Sequence, residues 1–186
     1  MKAKALFHNC ILAAFALLLW CAVPIAAQTA KLDDLFQQLQ TATDAESGQI
    51  TQNIWIEWSK SGSAAMDLLL KRGRDALNAG KPAEAIEHLT ALIDHAPDFA
   101  EGYNARATAY YQAGELGPSV SDIAKTLTLN PRHFGALSGL GMIFEQLNEP
   151  DKALEVYKAA LAINPHMADV VDAVKRLEAK LAGQDL

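Results

Sequence analysis

Apolar positions recur at helical spacing through most of this chain, and their pattern repeats every 34 residues. Segments 66–99, 100–133 and 134–167 align without a gap. Three columns of this alignment each hold one kind of residue. The first is large (Leu69, Tyr103 and Leu137), the second is small (Gly73, Ala107 and Gly141), and the third is apolar (Ala76, Tyr110 and Phe144). Apolar residues three and four apart indicate amphipathic helices. Two such helices in a 34-residue period predict a helical solenoid.

The second half of each segment predicts a second helix and a closing turn. Its columns hold Ala85, Ser119 and Ala153, then Leu89, Ile123 and Tyr157, and finally Pro97, Pro131 and Pro165. Gly80, Gly114 and Asn148 share the column between the two helices, and these residue types tolerate the left-handed conformation that ends a helix. Each segment is therefore predicted to be a helical hairpin that buries its apolar stripe only by stacking on its neighbours.

These columns resemble the tetratricopeptide repeat family. That family's pattern places a large apolar, a small and an aromatic residue on the first helix, a small residue and an aromatic on the second, and a closing proline. The stretch "AEGYNARATAYYQAGELGPSVSDIAKTLTLNP" is similar to it. The resemblance implies an all-α, right-handed α-solenoid with repeats at 66–99, 100–133 and 134–167.

The two ends differ from the repeats. Residues 168–186 predict one capping helix and a short tail, with an apolar stripe of Val171, Val174, Leu177 and Leu181. Residues 28–65 fit the period less well, because Ser63 replaces the closing proline and Glu46 the turn glycine. We interpret them as a diverged, repeat-like capping hairpin; the alternative is an unrelated helical hairpin docked on the array. Trp55 and Trp58 are either core anchors of this end or an exposed aromatic patch for a partner.

Residues 1–27 have the layout of a secretory signal. Lys2 and Lys4 precede an uncharged apolar run over 11–23, and small residues favour cleavage after Ala27. Both cysteines, Cys10 and Cys21, lie in this segment, so the remainder has none, as suits an oxidising compartment. We expect a periplasmic bacterial protein without a membrane span in its mature chain; the alternative is an uncleaved inner-membrane anchor.

Charge and residue types narrow the function. Two of the 16 basic residues lie in the signal segment and all 22 acidic ones follow it, which leaves a net charge of −8. That charge argues against nucleic acid and anionic membranes as partners. The four later histidines, His88, His95, His133 and His166, lack zinc-like spacing, and we expect them at the surface. No phosphate loop or nucleophile motif is present, so we expect no enzymatic activity, cofactor, metal or small-molecule substrate.

The resemblance implies that the first helix of each repeat lines a concave groove that binds a protein or peptide. Carried onto this sequence, the candidate residues are Leu70, Arg74, Leu77, Asn104, Thr108, Tyr111, Ser138, Met142, Glu145 and Arg176. Gly135, Ser138 and Gly139 are small, so the groove should be open at the third repeat. One branch of the family clamps a C-terminal carboxylate with Lys and Asn, but Leu70 and Arg74 occupy those places here.

Four functions remain at this stage. The favoured one is a monomeric periplasmic scaffold that binds an envelope protein, with a role in cell-envelope assembly or integrity. A maturation chaperone would hold unfolded secreted chains through weak apolar contacts. A self-associating array would stack through its ends, against which the charged last helix argues. An enzyme would require a metal or cofactor that the sequence does not predict.

Overall fold

The computed structural model describes residues 29–183, and over this range the chain forms nine helices and no strand. Their bounds are α1 29–41, α2 Asp44–Trp58, α3 Ala64–Asn78, α4 Pro82–His95, α5 Ala100–Gln112, α6 Leu116–Leu129, α7 Phe134–Gln146, α8 Pro150–Ile163 and α9 Ala168–Ala182. The predicted signal segment lies outside the described residues. Within them, no helix is both long and apolar enough to cross a membrane.

Helices α3 to α8 form three antiparallel hairpins in the predicted register. The small column brings the two helices of a hairpin together: a Cβ on Gly73 would lie 2.5 Å from Leu89 Cγ, and one on Gly141 would lie 2.5 Å from Tyr157 Cδ1. A larger residue would therefore push the hairpin apart.

The turns follow the predicted chemistry. Gly80, Gly114 and Asn148 have φ values of 69°, 78° and 55°, in the left-handed region. The next backbone N–H in each turn donates back to the preceding helix, as Lys81 does to Ala76 O at 2.9 Å. These bonds satisfy carbonyls that the helix end leaves without a partner.

The last helix closes the array through a slightly rotated face. Val170, Ala173 and Leu177 of α9 are buried against Ala153 and Tyr157 of α8. The sequence stripe placed Val171 and Val174 in this contact, but both are only half-buried. The opposite face carries charges such as Asp172 and Lys175, which form a surface pair at 3.3 Å.

The other end of the array is closed by the outer face of α3 itself. Lys71 and Asp75 are exposed there and pair with each other at 2.6 Å. The equivalent residues of α5, Ala105 and Ala109, are buried against the preceding repeat. An additional repeat on this face would have to bury the Lys71 and Asp75 charges, which is costly.

The N-terminal hairpin, α1 and α2, is therefore not an end cap stacked on α3; it docks across the array on the third repeat. Leu35, Phe36 and Leu39 of α1 and Ile54 and Trp58 of α2 form one buried cluster with Phe134 of α7, flanked by Ile163 and Met167. This arrangement matches the alternative raised from the sequence, a helical hairpin docked on the array. The interpretation of the hairpin as a repeat-like end cap is wrong.

Polar contacts fix the same docking. Gln40 Nε2 donates to Ile163 O at 2.7 Å, and a ring nitrogen of His166 lies 2.8 Å from Asp44 Oδ1. Arg132 pairs with Asp33 at 2.7 Å, and its guanidinium lies 4.3 Å from the centre of the Phe36 ring. These contacts join the hairpin to the loops that close the second and third repeats.

Candidate functional site

The concave face contains a channel with three walls. Its volume is about 700 Å³. One wall is α2, and the other two are α3 and α5. The lining residues are Gln52, Trp55, Ile56, Ser59, Lys60, Asp67, Arg74, Leu77, Asn78, Glu101, Asn104, Ala105, Thr108 and Gln112. Four of the candidate residues, Arg74, Leu77, Asn104 and Thr108, are therefore brought together here.

A buried carboxylate organises the floor of this channel. Glu101 is 2% exposed and pairs with Arg74, which also donates from Nη1 to Ser59 Oγ at 2.8 Å. Asn104 Nδ2 donates to Glu101 at 3.2 Å, and His133 Nε2 lies 2.9 Å from the other carboxylate oxygen. The network ties α2, α3, α5 and α7 together at one point.

His133 is part of this network and not a surface residue, which corrects the sequence interpretation. It is fully buried, and its Nδ1 accepts the N–H of Ala136 at 3.0 Å as the N-cap of α7. An accepting Nδ1 carries no proton, so the proton is on Nε2, which donates a hydrogen bond to Glu101. Because both ring nitrogens are engaged, His133 cannot act on a ligand in the channel.

The sequence contained a signal for this burial. His133 shares its column with Phe99 and Met167, two apolar residues that also precede a first helix. A histidine in an apolar column predicts a buried ring that needs polar partners. The ring stacks on Trp58, with a centroid distance of 4.3 Å and an interplanar angle of 16°.

The two tryptophans have different environments. Trp58 is buried, as a core anchor should be, whereas Trp55 is half-buried and lines the channel. Trp55 packs edge-on against Trp58 at 5.2 Å and against Phe134 at 5.5 Å. Its ring also covers Gly135, where an added Cβ would lie 2.5 Å from Trp55 Cη2.

A smaller pocket of about 120 Å³ adjoins the channel between α5 and α7. Asn104 and Thr108 line both cavities, and Tyr111 and Met142 line the smaller one. Gly139 opens this pocket, as the sequence predicted for the third repeat. Gly135 lines the same pocket, and the Trp55 ring lies against its α-carbon.

The remaining candidates are dispersed. Ser138 lies in a separate depression between α2, α7 and α9. Glu145 and Arg176 pair with each other, and Tyr157 donates its hydroxyl to Glu145 at 2.9 Å. Hydrogen bonding from Arg176 lowers the pKa of Glu145, while burial and the adjacent Glu145 raise the pKa of Tyr157.

Leu70 is not available to a ligand. It is 2% exposed and packs in the core of the first two repeats with Leu89 and Leu92. The family correspondence placed it in the groove, but it lies on the buried side of α3. We therefore remove Leu70 from the candidate set.

The charged side chains around the channel have partners within the protein. Lys60 pairs with Glu57 at 2.7 Å, and Asp67 accepts the Ser61 hydroxyl at 2.6 Å and its N–H at 2.8 Å. Burial opposes ionisation of the Glu57 carboxyl, but hydrogen bonds from Lys31 and Lys60 outweigh it and lower its pKa. The exposed side chains that remain are mainly amides and aliphatic groups.

Residues 29–183 contain no cluster of three or more potential metal ligands among His, Cys, Asp and Glu side chains. The arrangement in the channel is suited to binding: amides can pair with a peptide backbone, and Trp55, Ile56 and Leu77 can contact apolar side chains. Such a concave surface is typical of helical-repeat proteins that recognise other proteins.

Comparison with known proteins assigns the family. Sequence models of the tetratricopeptide repeat match residues 70–117 and 135–167. A "TPR repeat-containing protein" of Rhizobium etli is 36% identical over 154 residues, which cover 82% of this chain and 76% of that protein. The chain belongs to the tetratricopeptide repeat family, and it is a protein-interaction module.

Solved structures agree on the fold. The crystal structure of MamA is 22% identical with a TM-score of 0.60, over 77% of this chain and 88% of that one. The first TPR domain of Spaghetti (RPAP3), bound to the HSP90 peptide SRMEEVD, is 24% identical with a TM-score of 0.60, over 63% and 93% of the two chains. Proteins of this family are generally binding scaffolds without enzymatic activity.

Proposed function

We propose that this protein is a non-enzymatic scaffold of the bacterial periplasm that binds a segment of another protein in the channel between α2, α3 and α5. Its role is in cell-envelope assembly or integrity. The channel itself carries the proposal, because its volume of about 700 Å³ lies in the range of ligand-binding clefts. Amide, hydroxyl and apolar side chains converge on it from three helices.

Export is supported by the sequence of residues 1–27. A basic start, an apolar run and small residues before Gln28 form the layout that directs secretion. The absence of cysteine from the rest of the sequence suits the periplasm, where thiols oxidise. Fractionation of the producing cells, with N-terminal sequencing of the released protein, tests both the compartment and cleavage after Ala27.

A monomer is the proposed binding form. The two ends of the array carry exposed charges: Lys71 and Asp75 on α3, and Asp172 and Lys175 on α9. Stacking of two chains through these faces would remove those charges from water at a cost. Sedimentation at increasing concentration should give one constant mass, and a mass that rises with concentration would contradict this form.

Affinity capture from an envelope extract tests the binding role. Thr108 is exposed, lines the channel and donates its hydroxyl to Asn104 O at 3.1 Å. Thr128 is an exposed match on α6 and donates to Ala124 O at 2.8 Å. We expect the natural protein and Thr128→Arg to capture the same dominant partner, and Thr108→Arg to lose it because the longer side chain enters the channel.

Equal capture by all three proteins would place the binding surface elsewhere.

A chaperone for unfolded secreted chains is the second candidate, favoured by the apolar side chain of Met142, which is 46% exposed beside the channel. Capture of many weakly bound proteins, reduced by Met142→Ser, would support the chaperone and contradict a dedicated scaffold.

A further inference from the structure

We infer that α2, a helix outside the repeats, sets the specificity of the channel, and that its ligand is an extended, uncharged protein segment bearing an aliphatic side chain. This inference rests on the proposed binding function. It adds the chemistry of the partner and assigns the recognising residues to the docked hairpin, with Ile56 as the principal one.

The first step concerns the wall that α2 provides. Gln52, Trp55 and Ile56 line the channel from α2, opposite residues that the first two repeats supply. The hairpin is held by a buried cluster that includes Leu39 and Ile54, each 0% exposed. The wall is therefore a fixed part of the binding surface, formed before any ligand arrives, and such preorganisation favours binding.

The second step concerns charge. Arg74 pairs with Glu101 and Lys60 with Glu57, so a ligand carboxylate would compete with an internal carboxylate for either cation. Asp67 accepts two hydrogen bonds from Ser61. A charged ligand segment would have to lose water and compete with these internal partners, which disfavours it.

The third step concerns the groups that remain for contact. Gln52, Asn78 and Gln112 are exposed amides on α2, α3 and α5, and each can both donate to and accept from a peptide unit. A helical ligand satisfies its own backbone groups, whereas an extended one presents them to such amides. The geometry therefore suits an extended segment.

The fourth step concerns the apolar strip. Ile56 is 45% exposed and lines the channel from α2, while Leu77 lines it from α3 and Trp55 lies beside Ile56. Ile56 is not among the residues of the cluster that docks the hairpin. Its exposure is therefore unrelated to folding of that cluster, and an aliphatic ligand side chain would cover it.

A matched pair of variants tests this inference. Ile56 and Leu68 are 45% and 47% exposed, but only Ile56 lines the channel. Peptides are selected on the purified natural protein from a phage-displayed library of random 12-residue peptides. Their affinities are then measured by fluorescence anisotropy for the natural protein, Ile56→Ser and Leu68→Ser, with circular dichroism to verify that each variant is folded.

We expect the selected peptides to share an aliphatic position without flanking charges. Ile56→Ser should weaken them roughly tenfold to a hundredfold, the value of one buried aliphatic contact, and Leu68→Ser should leave them unchanged. Selection repeated on Ile56→Asp should replace the aliphatic position with a basic residue, since the wall then carries a negative charge.

Three results would contradict this inference, and each would contradict a different part of it. Peptides that bind Ile56→Ser as tightly as the natural protein would overturn the role of α2 and leave the binding function intact. A shared acidic or basic motif on the natural protein would overturn the uncharged ligand. A library that yields no binder at all would contradict the proposed function, and the present inference would fall with it.

Discussion

Substitution of Gly135 by alanine tests where the N-terminal hairpin docks. In a helix, alanine normally replaces glycine with a gain, because it restricts the unfolded chain. At Gly135, however, the new Cβ would lie 2.5 Å from Trp55 Cη2 and 2.9 Å from Trp55 Cζ2. One of the two side chains must move, and we expect a net loss of stability.

The magnitude follows from two opposing effects. Forcing a methyl group into a packed contact costs roughly 1–3 kcal/mol, and the helical preference of alanine returns up to about 1 kcal/mol. The net loss should therefore be up to about 2 kcal/mol. At Gly139, one turn further along α7, the nearest atom to a new Cβ is Ile123 Cδ1 at 3.8 Å, so Gly139→Ala should gain roughly 0.5–1 kcal/mol.

Urea unfolding followed by circular dichroism measures the free energy of unfolding of both variants. We expect Gly135→Ala to lower it and Gly139→Ala to raise it. Trp55→Ala supplies the control, because removal of the ring should abolish the cost of Gly135→Ala and give a coupling of at least about 1 kcal/mol. Equal stabilisation by both alanines, without coupling to Trp55, would show that α2 does not lie on the third repeat.

Three further perturbations test other parts of the structure. Trp58→Ala removes a buried ring that stacks on His133 and should cost roughly 3–5 kcal/mol in urea unfolding; a cost below about 1 kcal/mol contradicts its role as an anchor. Gly141→Ala should lower the melting temperature because its Cβ meets Tyr157, whereas Gly117→Ala, with no atom within 4 Å, should not. The Glu145 carboxyl has a lowered pKa in the folded protein, so its contribution is present above the ordinary glutamate pKa and lost as pH falls through the lowered value. Glu145→Gln should therefore reduce the loss of stability in acid. An unchanged dependence of the free energy of unfolding on acidic pH would show that Glu145 does not contribute in this way.

The repeats were predictable because several independent signals agree in them. The columns of Gly73 and Gly141 fix the approach of two helices, and Gly80 and Gly114 fix the turns. These constraints are local, and each acts within one hairpin of 34 residues. Local consistency of this kind makes a fold readable from sequence.

The docking of the hairpin was less predictable because it depends on contacts between residues more than 70 positions apart. Trp55 meets Gly135, and Asp44 meets His166. Periodicity carries no information about such pairs. One signal against an end cap was present, however: Lys71 and Asp75 occupy columns where the following repeat has Ala105 and Ala109.

The sequence predicted only part of the candidate groove, because periodicity identifies the residues within the repeats but not the contacts between distant segments. Arg74, Leu77, Asn104 and Thr108 do converge, because the repeats place them on one face. Leu70 fell on the buried side, since the exact rotation of α3 depends on its packing against Leu89 and Leu92. The wall formed by α2 could not be anticipated without the tertiary contact that positions it.

Photo-cross-linking in the producing cell tests the central claim, binding in the channel, most directly. A photoreactive phenylalanine analogue is placed at Ile56 inside the channel, and at Leu68 and Leu147, which are comparably exposed but do not line it. We predict one discrete adduct from position 56 and none from the other two. Adducts from position 68 or 147 with none from 56 would contradict the claim and place the partner outside the channel.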